Sequence, residues 1–121
     1  MIELTTDKWQ EEFHHNEYKI LFVHTPFCAT CQLAERMLGV VEETENNVPL
    51  YRMNASFFPD FMEKNKIKSV PALLLVYNDT VTDDLYAFES VPKIYQYVQS
   101  WKKKLRIDDD LGENTNNFSY L

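Results

Sequence analysis

The apolar residues fall into two kinds of run, and the spacing switches between them along the chain. Residues 19–24 carry I-L-F-V with no polar break, which predicts a strand buried on both faces. Thr25-Pro26 ends it, because proline has no backbone N–H for the middle of a sheet. From Cys28 to about Glu43 the period is helical. Leu33, Met37, Val40 and Val41 follow i, i+4, i+7, i+8, with Glu35, Arg36 and Glu42 on the other side. Gly39 inside this helix costs roughly 1 kcal/mol relative to alanine. Asn46-Asn47 and then Pro49 close it.

Residues 50–54 alternate Leu50, Arg52 and Asn54 against Tyr51 and Met53, the period of a strand. Ser56 or Asp60 opens a short helix with Phe57, Phe58, Phe61 and Met62 as its apolar side. Pro71 introduces a second buried strand over 72–77. Asn78-Asp79-Thr80 turns the chain, and 81–89 reads as the return strand of a hairpin. Ser90 caps a last helix with Pro92 in its first turn, and its stripe is Ile94, Tyr97, Val98, Trp101 and Leu105. Upstream, residues 7–13 read as a short helix capped by Thr6 or Asp7, with Trp9 and Phe13 four apart.

The first half therefore alternates strand and helix, and the second adds a hairpin and a covering helix. This predicts an α/β fold with a mixed sheet of about four to five strands and helices on both faces. A length of 121 residues allows one domain. We place it at 1–106, because the apolar pattern stops after Arg106. Residues 107–121 read as an acidic, mobile tail.

Charge removes some functions. There are 12 Lys and Arg against 19 Asp and Glu, a net charge of −7. Four of the acids follow Arg106 with no base among them, which leaves fifteen acids against twelve bases, or −3, before it. A nucleic-acid partner would need a basic face, and so would an anionic membrane. Neither is expected. No apolar run approaches the roughly 20 residues of a membrane span. The start M-I-E-L-T-T-D-K has neither a basic region nor an apolar core, so no signal peptide is expected. A monomer in the cytoplasm is the expectation, in a compartment where thiols are kept reduced.

In that setting a cysteine pair points to catalysis or metal binding. Cys28-Ala29-Thr30-Cys31 is a C-x-x-C placed where a buried strand turns into a helix. At a helix N-terminus, unpaired N–H groups and the macrodipole favour an anion. That lowers the Cys28 thiol below its free value of about 8.5 and makes thiolate available near neutral pH. Cys31, one turn on, is within reach but more enclosed. Cys28 therefore attacks a substrate disulfide, and Cys31 displaces the product from the mixed disulfide. Other readings stay open. A zinc site needs four ligands, and the chain offers two Cys and three His with no second C-x-x-C. Two inert buried cysteines, or a structural disulfide, are the remaining alternatives.

The chain resembles the thioredoxin-like superfamily over roughly residues 2–106. The carriers are I-L-F-V-H-T-P-F-C-A-T-C, the M-N-A strand about two dozen residues later, and K-S-V-P-A-L-L-L-V-Y-N-D. The resemblance implies a thioredoxin fold and thiol–disulfide exchange without metal or organic cofactor. It implies protein or low-molecular-weight disulfides as substrates, and a reductase or small thiol as electron donor. It also implies that Pro71 is cis against the C-x-x-C and that the Val70 backbone pairs with an extended substrate. Phe27 stands where thioredoxins have tryptophan, flanks the reactive cysteine, and is expected to be exposed to substrate.

The departures are specific. Ala29-Thr30 replaces Gly-Pro, Arg36 replaces the helix proline, and Arg52 falls where thioredoxins have a lysine. Phe22 replaces the buried aspartate that handles the proton of the second cysteine. His24, four residues before Cys28, titrates in the right range and is the candidate for that proton transfer. His14-His15 reads as solvated. Thr25-Pro26-Phe27-Cys28 is similar to glutaredoxins, so exchange through Cys28 alone is one rival reading. A fold kept as a binding or adaptor domain is another.

Overall fold

The elements, in chain order, are β1 (Ile2–Glu3), β2 (Tyr18–His24), α1 (Ala29–Thr44), β3 (Leu50–Asn54), α2 (Pro59–Lys64), β4 (Ala72–Tyr77), β5 (Thr80–Leu85) and α3 (Val91–Glu113). They come from a computed structural model that describes residues 1–9, 11, 16–45 and 48–113, with side chains as far as 105. Phe13, His14-His15, Asn46-Asn47 and residues 114–121 lie outside the described residues.

Among the described residues the strands form one sheet in the order β1-β3-β2-β4-β5. β2–α1–β3 is a crossover, so β2 and β3 pair in parallel, Phe22 opposite Arg52 and His24 opposite Asn54. β1 pairs in parallel with the far edge of β3, Glu3 opposite Arg52. β4 runs antiparallel beside β2, and β5 runs antiparallel to β4 at the sheet edge. β1 has only two residues, too short for a periodicity to reveal it.

The unbroken apolar run was the right sign of a central strand. Ile20, Leu21, Phe22 and Val23 are all fully buried, and so are Leu73, Leu74 and Leu75 on β4. The two faces make two cores. Ile20, Phe22, Leu73 and Leu75 pack under α1 and α3, against Leu38, Val41, Ile94, Val98 and Trp101. Leu21, Val23, Met53 and Leu74 pack on the opposite face with Phe58 and Phe61.

Four expectations need correction. The buried face of α1 is Cys31, Ala34, Leu38 and Val41, whereas Leu33 and Val40 are about half exposed. Val41 is buried and Met37 packs against the core as expected, so the expected stripe is right at those two positions and wrong at Leu33 and Val40. The small Cys31 and Ala34 let the helix lie close on the sheet. Phe57 is not core either; it is 66% exposed. The Asn54 side chain accepts from Ser56 N–H (2.9 Å) and starts a single 3-10 turn at Ala55–Phe57, and Pro59 then restarts the chain as α2. Helical spacing therefore does not carry from Phe57 to Phe61. The return strand β5 stops at Leu85 rather than residue 89. Finally, α3 continues past Arg106 to Glu113, so the acidic run is helical at its start.

Ser90 caps α3 as expected, accepting from Lys93 N–H at 3.3 Å. The far end of α1 is tied to α3 by Glu45. Its carboxylate accepts from Lys102 Nζ (2.7 Å), from the Tyr95 hydroxyl (3.1 Å) and from Gln99 Nε2. The hydrogen bond from Lys102, ahead of those from Tyr95 and Gln99, holds the Glu45 carboxyl below its usual range. Gly39 sits mid-helix with nothing within 4 Å of the place a Cβ would occupy. Gly39→Ala is therefore expected to stabilise the fold by about 0.5–1 kcal/mol, read as a higher urea midpoint at unchanged slope.

Candidate active site

Cys28 is the N-cap of α1, in extended conformation with φ −111° and ψ 104°. Phe27 before it adopts φ +60°, which swings its ring away from the body of the protein until it is fully exposed. The turn leaves the Cys28 sulfur facing the first turn of the helix. It accepts from the Cys31 backbone N–H at 3.2 Å and lies 3.4 Å from the Thr30 hydroxyl. Both contacts would stabilise a thiolate, and so does the helix N-terminus itself. Thr30 was not picked out as a site residue. Its exposed hydroxyl gives the Ala-Thr dipeptide a donor that Gly-Pro lacks.

Cys28 and Cys31 are joined as a disulfide, with Cα atoms 5.2 Å apart. Cys28 is partly exposed, whereas Cys31 is only 3% exposed. This asymmetry fits an entering and a resolving sulfur. Neither cysteine lies in a metal cluster; no group of three or more His, Cys, Asp or Glu side chains among the described residues could hold an ion.

Beside Cys31 opens a groove of about 770 Å³. Phe27 and Phe57 line it, and below them it is lined by His24, Cys31, Glu35 and Arg52. The Arg52 guanidinium joins two elements. Its Nε donates to Glu3 Oε1 at 2.6 Å and its Nη1 to Glu35 Oε1 at 2.5 Å. Phe22 is fully buried, stacks on His24 (5.8 Å between centroids, 15° between planes) and meets Phe88 edge-on. Arg52 thus stands on the neighbouring strand, directly opposite position 22. His24 Nε2 is buried without a hydrogen-bond partner. Burial, and then the Arg52 charge, hold the His24 imidazole below its usual value; Glu3, Glu35 and a hydrogen bond to the Thr25 backbone oppose this.

The Val70–Pro71 peptide bond is cis. Val23 pairs with Ala72, so antiparallel pairing brings Pro71 to the same end of the sheet as His24 and the cysteine loop. Of the residues expected at the site, His24, Phe27 and Cys31 line the groove, and Cys28, Val70 and Pro71 do not. Glu3, Glu35 and Phe57 were not expected there. Only the spacing of Cys31 and Glu35, four apart on one helix, carried a signal for any of them.

The thioredoxin family model matches residues 1–100. This chain belongs to the thioredoxin family. It is 37% identical over 92 residues to a thioredoxin-like protein, YusE, of Bacillus subtilis, which covers 74% of this chain and 87% of the relative. Its fold matches thioredoxin f2 of Chlamydomonas reinhardtii with a TM-score of 0.68 at 16% identity, over 83% of this chain and 94% of that one. Mitochondrial thioredoxin 3 of Saccharomyces cerevisiae, in its oxidized form, matches with a TM-score of 0.67 at 11% identity, over the same shares. Thioredoxin membership and a C-x-x-C pair at disulfide distance together support thiol–disulfide oxidoreductase chemistry. Among the described residues no helix is long and apolar enough to cross a membrane.

Proposed function

We propose that this thioredoxin reduces or exchanges disulfides with Cys28 as nucleophile and Cys31 as resolving thiol. The asymmetry of the pair carries the reading: Cys28 is partly open, accepts from the Cys31 N–H and lies against the Thr30 hydroxyl, and Cys31 is buried one helical turn behind it. The Cys28 thiolate attacks a substrate sulfur, a mixed disulfide forms and the first product thiol leaves. Cys31 then attacks Cys28 Sγ, closing the Cys28–Cys31 bond and releasing the second thiol. Two electrons pass from the dithiol to the substrate. No metal or organic cofactor enters.

Substrates in this proposal are disulfides of proteins or small thiols. Val70 offers its backbone at the cis Pro71, and the exposed Phe27 ring covers apolar substrate surface. His24 assists the proton of Cys31. A reductase or small thiol returns the electrons. In this reading the protein acts as a monomer in a bacterial cytoplasm, where thiols are kept reduced; the 37% identical relative is bacterial.

Equilibration in graded thiol/disulfide buffers, read by thiol alkylation, tests this. A single two-electron transition is expected for Cys28–Cys31. A potential near about −270 mV assigns a reductant, and one above about −200 mV assigns an oxidant or isomerase. If the pair stays reduced in every buffer, the redox reading fails and the fold serves binding alone.

A further inference from the structure

Cys31 is nearly inaccessible, and burial in apolar surroundings raises a thiol and leaves it a poor nucleophile until it loses its proton. Phe22, directly opposite Arg52 on the neighbouring strand, brings no acceptor to this face. Four ionisable groups that share a groove with Cys31 come from four different elements. They are Glu3 on β1, His24 on β2, Arg52 on β3 and Glu35 on α1, all lining one groove. Arg36 lines it too, from the exposed side of α1. Three of the four are tied together: Arg52 is gripped by Glu3 at 2.6 Å and by Glu35 at 2.5 Å. The fourth, His24, stands outside these ion pairs, with a buried Nε2 that has no hydrogen-bond partner.

We propose that Glu3, Arg52 and Glu35 form a charge clamp that sets the protonation state of His24 and so gates the proton transfer from Cys31. Arg52 is a positioning residue here, and so are both carboxylates. Each acts through His24 rather than on the sulfurs themselves. The sheet makes this mechanical. Arg52 lies two residues before Asn54, on the same face of β3, and Asn54 is the register partner of His24, so β2–β3 pairing keeps the cation at a set separation from the imidazole. Glu3 from β1 and Glu35 from one turn beyond Cys31 then hold the guanidinium from two sides. Arg52 favours neutral imidazole and the carboxylates temper it, in agreement with the depressed imidazole already described.

The step balances. Neutral His24 takes the Cys31 proton on Nε2, and the Cys31 sulfur attacks Cys28 Sγ. The Cys28–Cys31 bond forms as the bond from Cys28 to the substrate sulfur breaks. The leaving thiolate takes a proton from solvent, and His24 returns its own to solvent. This proposal rests on the exchange reading above, so its test has one arm that needs no turnover.

In that arm, His24 is titrated by NMR in the full chain, assigned by the signal missing from His24→Gln. Arg52→Gln is expected to raise the His24 midpoint and Glu35→Gln to lower it, relative to the parent protein. Opposite shifts from two variants of one ion pair exclude general loosening of the fold as the cause. If neither variant moves the midpoint, or both move it the same way, the clamp is overturned whether or not the protein exchanges disulfides.

In the second arm, the reduced protein is mixed with bis(2-hydroxyethyl) disulfide. Acid quenching and mass spectrometry follow decay of the Cys28 mixed disulfide. The rate of that decay is expected to rise with pH through the His24 midpoint. The limb moves up in Arg52→Gln, down in Glu35→Gln, and is absent in His24→Gln. A limb that ignores the NMR midpoints overturns the gating while leaving the exchange reading intact. Absence of any mixed disulfide in the parent protein overturns the exchange reading, and the gating of proton transfer with it.

Discussion

Cys28→Ser is expected to reduce disulfide exchange to the uncatalysed background, while Cys31→Ser keeps the first attack and accumulates a mixed disulfide. The two sulfurs are not equivalent in this structure. Cys28 is partly open and takes hydrogen bonds from Cys31 N–H and contact from Thr30 Oγ1, at 3.2 and 3.4 Å. A thiolate there has the stabilisation that a helix N-terminus offers. Cys31 meets solvent over 3% of its surface, too little to receive a bulky disulfide directly. Serine at 28 removes the only sulfur a substrate can reach. Serine at 31 removes the group that ends the covalent intermediate. Intact-mass spectra after exposure to bis(2-hydroxyethyl) disulfide read both outcomes: no adduct on Cys28→Ser, one stable adduct on Cys31→Ser. Equal adducts on both variants would refute the assignment of roles. Full multiple-turnover activity in Cys31→Ser with a small thiol would assign exchange through Cys28 alone.

The second large effect is on stability. Phe22→Ala is expected to cost about 3–5 kcal/mol, the range for deleting a buried phenyl group. Domains of this kind hold about 5–15 kcal/mol in total, so the variant spends a large share of it. Phe22 is fully buried in the core under α1 and α3, edge-on to Phe88 and stacked on His24. Its loss opens a cavity directly beneath the active-site end of β2. Urea unfolding checks the cost, as a fall in midpoint with the slope held. A loss under about 1 kcal/mol would mean that the neighbouring side chains collapse into the space. The aspartate that thioredoxins carry at this position would here be enclosed by apolar groups. The charged groups near this end of the sheet come instead from β1, β3 and α1, as Glu3, Arg52 and Glu35.

The comparison of sequence with structure is most instructive at particular residues. I-L-F-V on β2 and A-L-L-L-V on β4 announced the two central strands because a strand buried on both faces must be apolar at every position. Cys28 announced itself because a C-x-x-C at a strand-to-helix junction has a chemistry of its own. Ser90 announced the start of α3 because a cap is a local hydrogen bond. In each of these cases the governing physics acts within a few residues of chain.

Other features depended on partners far away in sequence. Leu33 and Val40 have the spacing of a buried face, but the sheet surface selected Cys31, Ala34, Leu38 and Val41 instead. Phe57 has the composition of core, yet the Asn54 cap and Pro59 broke its helix and left the ring beside the groove. The two-residue β1 exists only because β3 offers it an edge. Glu3, Arg52 and Glu35 are up to 49 residues apart and form one ion cluster because β1, β3 and α1 meet there. The sequence by itself thus determined the fold class, the central strands and the pairing of Cys28 with Cys31, since these follow from local pattern and covalent chemistry. Only the tertiary structure decided which helix face is buried and which charges share a groove with Cys31, because burial and electrostatics are set by what the folded chain brings alongside.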